Sequence, residues 1–119
     1  SKLCRRIYTI ERYRELLRDA EQRFRTLRLN NIVTRWGDGM KGWPEQAPFD
    51  RMILTAGARS VPACLFEQMS DNAILIAPVG RSGSEQTLRR WRIDGGEWSE
   101  EELWPVRFVP LLEGTVDAV

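Results

Sequence analysis

Histidine is absent from this chain, and that one omission removes several mechanisms. A Ser-His-Asp triad and a Cys-His nucleophilic pair both need an imidazole to take a proton near neutral pH, so neither can be built. Cysteine is scarce. Cys4 and Cys64 stand far apart with no C-x-x-C spacing, so zinc would have to rely on two thiols and carboxylates, and no metal site is expected. Two isolated thiols suit a reducing compartment better than a disulfide framework, which makes the cytoplasm the expected location. No apolar run approaches the ~20 residues of a membrane span. The start, Ser1-Lys2-Leu3-Cys4-Arg5-Arg6, lacks a signal-peptide core, so no membrane partner is expected.

An excess of one charge is lacking as well, with a formal net charge of +1, yet the two ends differ. Residues 1–28 carry nine basic groups against four acids, and residues 93–119 carry seven acids against Arg107 alone. A basic end can signal nucleic acid. Here the arginines alternate with acids at helical spacing (Asp19/Arg23, Glu21/Arg25) and no aromatic platform interleaves them. A solvated helix face is the better reading, and no nucleic-acid partner is expected.

What is present suits one domain over residues 1–119, with 42% hydrophobic residues to supply a core. Arg5–Ile10 is β-branched and aromatic, hence a strand. Tyr13, Leu16, Leu17, Ala20, Phe24 and Leu27 recur at helical spacing, and Asn30-Asn31 closes that helix. Ile32–Trp36 and Asp50–Thr55 read as strands, separated by a loop rich in glycine and proline. Ser60 can cap a short helix over Val61–Met69. Ala73–Val79 is apolar throughout, as in a parallel strand covered on both faces. After Gly80-Arg81-Ser82-Gly83 the pattern changes to Gln86–Ile93 and Trp98–Val109 around Asp94-Gly95-Gly96, an antiparallel pair. The order predicts an α/β fold: a mostly parallel sheet with a C-terminal antiparallel hairpin.

In open α/β sheets, ligands bind beyond the carboxyl ends of the strands. Glu11 follows the first strand, where a carboxylate accepts from ribose hydroxyls or serves as the first-turn acid of the helix. Asp38, in Gly37-Asp38-Gly39, can accept from an adenine amino group or make an Asx turn. Gly37-x-Gly39-x-x-Gly42 matches a dinucleotide fingerprint formally, but Pro44 and Pro48 leave no room for the helix it must open. Thr55-Ala56-Gly57-Ala58 ends the third strand with little bulk, which admits either a ligand or close helix–sheet packing.

Several ordered motifs carry a resemblance. Ile7–Arg12, Gly37–Arg51, Leu54–Ala58, Ile76–Gly80 and Pro105-Val106-Arg107-Phe108-Val109-Pro110-Leu111 resemble the protein-L-isoaspartate O-methyltransferases over nearly the whole chain. The resemblance implies a partial Rossmann-like methyltransferase fold that uses S-adenosylmethionine. It also implies esterification of the abnormal carboxyl of L-isoaspartyl (and D-aspartyl) residues in damaged peptides or proteins. By that analogy Glu11 binds the cofactor ribose, and Asp38 with Gly39 borders the adenine. Thr55 and Ala56 then line the region near the sulfonium, and Val106, Arg107, Phe108, Val109, Pro110 and Leu111 form the peptide cleft. No catalytic side chain is implied.

Three departures bear on this. The family's glycine-rich cofactor loop is expected to precede what is Ser1 here, so activity of the chain is expected to be impaired. Ser70-Asp71-Asn72-Ala73 replaces a Pro-Gly-Gly turn, and Ala77 stands where a larger aliphatic residue is common. Loss of a central strand between Ile7–Ile10 and Met52–Leu54 is expected to leave strand edges unpaired, open to direct re-pairing, self-association or a piece supplied in trans. The alternative is a catalytically inactive fragment acting as an interaction or structural module.

Overall fold

A computed structural model of the chain describes residues 1–81 and 84–117; Ser82 and Gly83, within the turn expected before the hairpin, lie outside the described residues. The contacts divide the chain into two compact units. One comprises Ser1–Gly39 with the described part of Leu112–Val119, and the other Met40–Leu111.

In the first unit, β1 (Ile7–Glu11) pairs in parallel with β2 (Ile32–Trp36), in register from Ile7↔Ile32 to Glu11↔Trp36. The connection is α1 (Arg14–Thr26), whose first turn carries Glu15 and whose last turn carries Arg23 and Arg25, each favourable to the helix dipole. Leu17 is buried on its inner side, whereas Leu16 and Leu27 are exposed, so only part of the apolar stripe is covered. The Thr34 hydroxyl donates to Glu21 Oε2 at 2.6 Å and ties the helix to β2. The helix stops earlier than the asparagines suggest. Arg28 adopts a left-handed conformation (φ 56°), with Arg28 N–H bonded to the Arg25 carbonyl and Leu29 N–H to the Phe24 carbonyl, a Schellman closure built without glycine.

The second unit is a four-stranded sheet of β3 (Phe49–Ile53), β4 (Met69–Val79), β5 (Gln86–Asp94) and β6 (Glu97–Val106), in that order. β3 and β4 are parallel; β4–β5 and β5–β6 are antiparallel. The hairpin turns on Gly95 and Gly96, both at positive φ, as a two-residue turn demands. α2 is shorter than expected, Ala63–Glu67, with Pro62 rather than Ser60 at its capping position. Its chain leaves early because Met69 already pairs with Phe49. Asn72 takes φ 64° within β4, which includes Ser70–Ala73.

The core of this unit lies between α2 and one face of the sheet. Leu65 of α2 meets Leu75 and Ala77, all essentially sealed from water, with Met52, Leu54, Phe66 and Trp91 around them. Phe66 packs edge-on against both Trp91 and Trp98, an arrangement aromatic quadrupoles favour. β1 and β3 belong to different sheets, each with one hydrogen-bonded neighbour strand.

Candidate functional site

The parallel register of β1 and β2 sets the first cluster. Glu11 ends β1 opposite Trp36, which ends β2, and Gly37 N–H donates to the Glu11 carbonyl at 3.1 Å. The turn Gly37-Asp38-Gly39 therefore starts at the strand end that carries Glu11. Glu11 Oε1 accepts the Tyr13 N–H at 3.0 Å, so the side chain does brace the start of α1. A carboxylate has about four acceptor positions, and among the described residues Glu11 Oε2 receives no hydrogen bond.

Asp38 is not a simple Asx turn. Its Oδ2 accepts the backbone N–H of Gly114 at 3.0 Å, far along the chain. Gly37 and Gly39 do not use the left-handed region; of the three glycines in the false fingerprint, only Gly42 does (φ 63°).

The segment reaching Asp38 is fastened along the β1–α1 connection. Val116 bridges Tyr13, with Val116 N–H bonded to the Arg12 carbonyl at 2.7 Å and Arg14 N–H to the Val116 carbonyl at 2.9 Å. The Arg12 guanidinium donates to the carbonyls of Glu113 and Gly114 at 3.0 and 3.3 Å. Trp36 Nε1 donates to the Arg12 carbonyl at 2.9 Å while the Arg14 guanidinium lies 5.2 Å over the Trp36 ring, a cation–π contact.

In the second unit, Thr55 is exposed and Ala56 half-buried, just before the buried Gly57. Gly57 N–H donates to the Val109 carbonyl at 2.7 Å, and Leu111 N–H returns to the Gly57 carbonyl at 2.8 Å. Residues 108–111 are thus laid against the end of β3 by their backbone. Gln86, only 3% exposed, completes the hold: its Oε1 accepts Phe108 N–H at 2.7 Å and its Nε2 donates to the Phe108 carbonyl at 3.2 Å. Phe108 and Val109 are exposed, Val109 by 70%. Val106 and Leu111 are half-buried, and Arg107 and Pro110 exposed. The structure brings Glu11, Asp38 and Gly39 to one sheet end in the first unit, and sets Thr55 and Ala56 beside residues 108–111 in the second.

Residues 2–116 match the family described as Protein-L-isoaspartate(D-aspartate) O-methyltransferase (PCMT). A Parvibaculum lavamentivorans protein-L-isoaspartate O-methyltransferase is 54% identical over 116 residues, 96% of this chain and 52% of that protein. One from Maricaulis maris is 52% identical over 119 residues, 100% of this chain and 55% of that protein. The chain belongs to the protein-L-isoaspartate O-methyltransferase family. It spans about half the length of the curated relatives it matches. Two solved structures share its fold. A protein-L-isoaspartate O-methyltransferase superposes with a TM-score of 0.80 at 23% identity, over 88% of this chain and 33% of that one. A Plasmodium falciparum chain named as a beta-aspartate methyltransferase, in complex with S-adenosyl-L-homocysteine, gives 0.77 at 21% identity, over 90% and 52%.

Family membership sharpens what sequence reasoning missed. The small residue at Gly57 is demanded by the protein itself, since a Cβ there would lie 2.8 Å from Gln86 Nε2. Gln86 carried no local signal, being one polar residue at the start of β5. Arg12 and the 113–117 segment were equally silent, because their contacts join residues about a hundred positions apart.

Proposed function

We propose that this chain carries part of the cofactor and substrate machinery of a cytosolic protein-repair methyltransferase. The reaction is transfer of a methyl group from S-adenosylmethionine to the carboxyl of L-isoaspartyl, and D-aspartyl, residues in damaged proteins. The observation that carries the reading is the pair Glu11 and Asp38 at one end of two adjacent parallel strands, with acceptor capacity left on Glu11.

The residues present suit an adenosyl group. Glu11 would accept from the ribose hydroxyls, Asp38 and Gly39 would border the adenine, and Thr55 and Ala56 would line the space near the sulfur. When bound, S-adenosylmethionine supplies a methyl group on a sulfonium leaving group. The attacking carboxylate is already ionised at neutral pH, so this histidine-free chain has no proton to move. Its task is alignment, and holding reactants in line can contribute about 7–11 kcal/mol. Residues 106–111 would hold the peptide, with Phe108 and Val109 presented outward from a backbone fixed by Gln86 and Gly57.

Spanning about half of its relatives' length favours impaired turnover, and it also supports a second reading, an inactive module that acts through protein contacts. Radiolabelled S-adenosylmethionine with an isoaspartyl peptide and its aspartyl twin separates the two. Methyl transfer to the isoaspartyl peptide alone supports the enzyme. No transfer and no cofactor retention by the folded chain leaves the module.

A further inference from the structure

Arg12 grips residues 113–116 at three points. Its carbonyl accepts the Val116 N–H at 2.7 Å. Its guanidinium donates to the carbonyls of Glu113 and Gly114, and it lies 4.9 Å over the Tyr13 ring, which limits where it can turn. One of these contacts continues further. The Glu113 carbonyl and the Gly114 N–H belong to a single planar trans peptide and point opposite ways. The carbonyl end meets Arg12 Nη2 at 3.0 Å, and the N–H end meets Asp38 Oδ2 at 3.0 Å. Guanidinium, peptide and carboxylate thus form one series of charge-assisted hydrogen bonds. The cation polarises the peptide and makes its N–H the stronger donor to Asp38. Gly114 sits at φ 74° with open space where a Cβ would stand, so glycine's freedom, not a collision, sets the tilt of that plane. Arg12 and Asp38 follow two different strands, β1 and β2, of the same unit, and this peptide links them.

We propose that Arg12 is a positioning residue of the adenosyl site, acting through the Glu113–Gly114 peptide to fix the carboxylate of Asp38, an inference that rests on Asp38 bordering the adenine. What the fixed carboxylate sets is specificity for a purine that bears a 6-amino group. An ionised carboxylate only accepts, so it matches an exocyclic amino donor and opposes a carbonyl in the same place. That discrimination is directional, and it weakens steeply once the acceptor turns away from the donor. Asp38 lies in the turn Gly37-Asp38-Gly39, so the chain on either side of it restrains its side chain little. The Gly114 N–H supplies a restraint, and Arg12 holds the far end of the peptide that carries it.

Calorimetric titration of S-adenosylhomocysteine against S-inosylhomocysteine, in which a carbonyl replaces the amino group, tests this. The two ligands share their ribose and amino-acid parts, so a general loss of structure moves both alike. The parent chain should prefer the adenosyl ligand about tenfold, and Asp38→Ala should erase that preference. Arg12→Ala should weaken the adenosyl ligand about fivefold and leave the inosyl ligand within about twofold. Arg12→Lys, whose ammonium still reaches one carbonyl, should recover part of the loss. Arg12→Ala combined with Asp38→Ala should bind no more weakly than Asp38→Ala alone, because the two act in series. In the unliganded chain, exchange of the Gly114 amide should rise about tenfold in Arg12→Ala while circular dichroism stays that of the parent. Equal weakening of both ligands by Arg12→Ala, or additive losses in the double variant, would make Arg12 a structural brace and overturn the proposal. Should Arg12→Ala fail to fold, Arg12→Lys is judged by the same comparison. No saturable heat from the folded parent, or a ligand preference that survives Asp38→Ala, defeats instead the adenine role of Asp38, and the proposal with it.

Discussion

Gln86 grips Phe108 through both ends of its amide, accepting the Phe108 N–H at 2.7 Å and donating to the Phe108 carbonyl at 3.2 Å. The side chain thereby takes the place of a neighbouring strand for a stretch that has just left β6. Gln68 repeats the device in the same unit, accepting Trp43 N–H at 2.8 Å and donating to the Lys41 carbonyl at 3.0 Å. These are the two buried polar side chains of the described structure, and each fixes a loop.

Replacing Gln86 by Leu removes both bonds and strands the Phe108 backbone groups, a loss of about 2 kcal/mol. Gln86→Glu should cost more, because it sets a buried carboxylate oxygen against the Phe108 carbonyl. Urea unfolding followed by tryptophan fluorescence gives the stabilities, and amide exchange at Phe108 and Leu111 reports the local release. Unchanged exchange at both positions in Gln86→Leu would show that the segment is held by something else.

Glycine substitutions distinguish strain from collision. Gly95→Ala meets no atom within 4 Å at φ +60°, so only backbone strain of about 1 kcal/mol is expected. Gly42→Ala adds a Cβ within 2.7 Å of Gln68 Nε2 at φ +63°, and should cost about 3 kcal/mol while freeing the Gln68 bracket. Equal losses in the two variants would mean that Gln68 is not held in place.

Local chemistry made much of the fold legible, and long-range chemistry hid the rest. Strand β2 and the glycine turn of the hairpin follow from β-branched runs and from Gly95-Gly96, signals contained within a few residues. The end of α1 at Arg28 and the early start of β4 at Met69 depend on backbone bonds and pairing that composition does not display. At the candidate site, strand-end position suffices to single out Glu11 and Asp38. Their neighbours Gly114 and Arg12 come together only once the chain has closed on itself. A Cβ at Gly57 would meet Gln86 of β5 at 2.8 Å, a contact that the local sequence does not display.

The 113–117 segment should respond differently to its two arginine anchors. Arg12→Ala removes the donor to the Glu113 and Gly114 carbonyls, and exchange of the Val116 amide should rise about tenfold. Asp117→Ala breaks only an exposed ion pair with Arg14, and stability should change by less than about 0.5 kcal/mol. If Asp117→Ala releases Val116 as much as Arg12→Ala does, the guanidinium contacts of Arg12 are not the fastening.

Calorimetric titration of S-adenosylhomocysteine into the folded chain, repeated with Glu11→Ala and Asp38→Ala, addresses the adenosyl-binding role of the β1–β2 end directly. Saturable heat that Glu11→Ala abolishes and Asp38→Ala weakens at least tenfold is the expected result. No heat from a folded sample, or heat that ignores both substitutions, would contradict it.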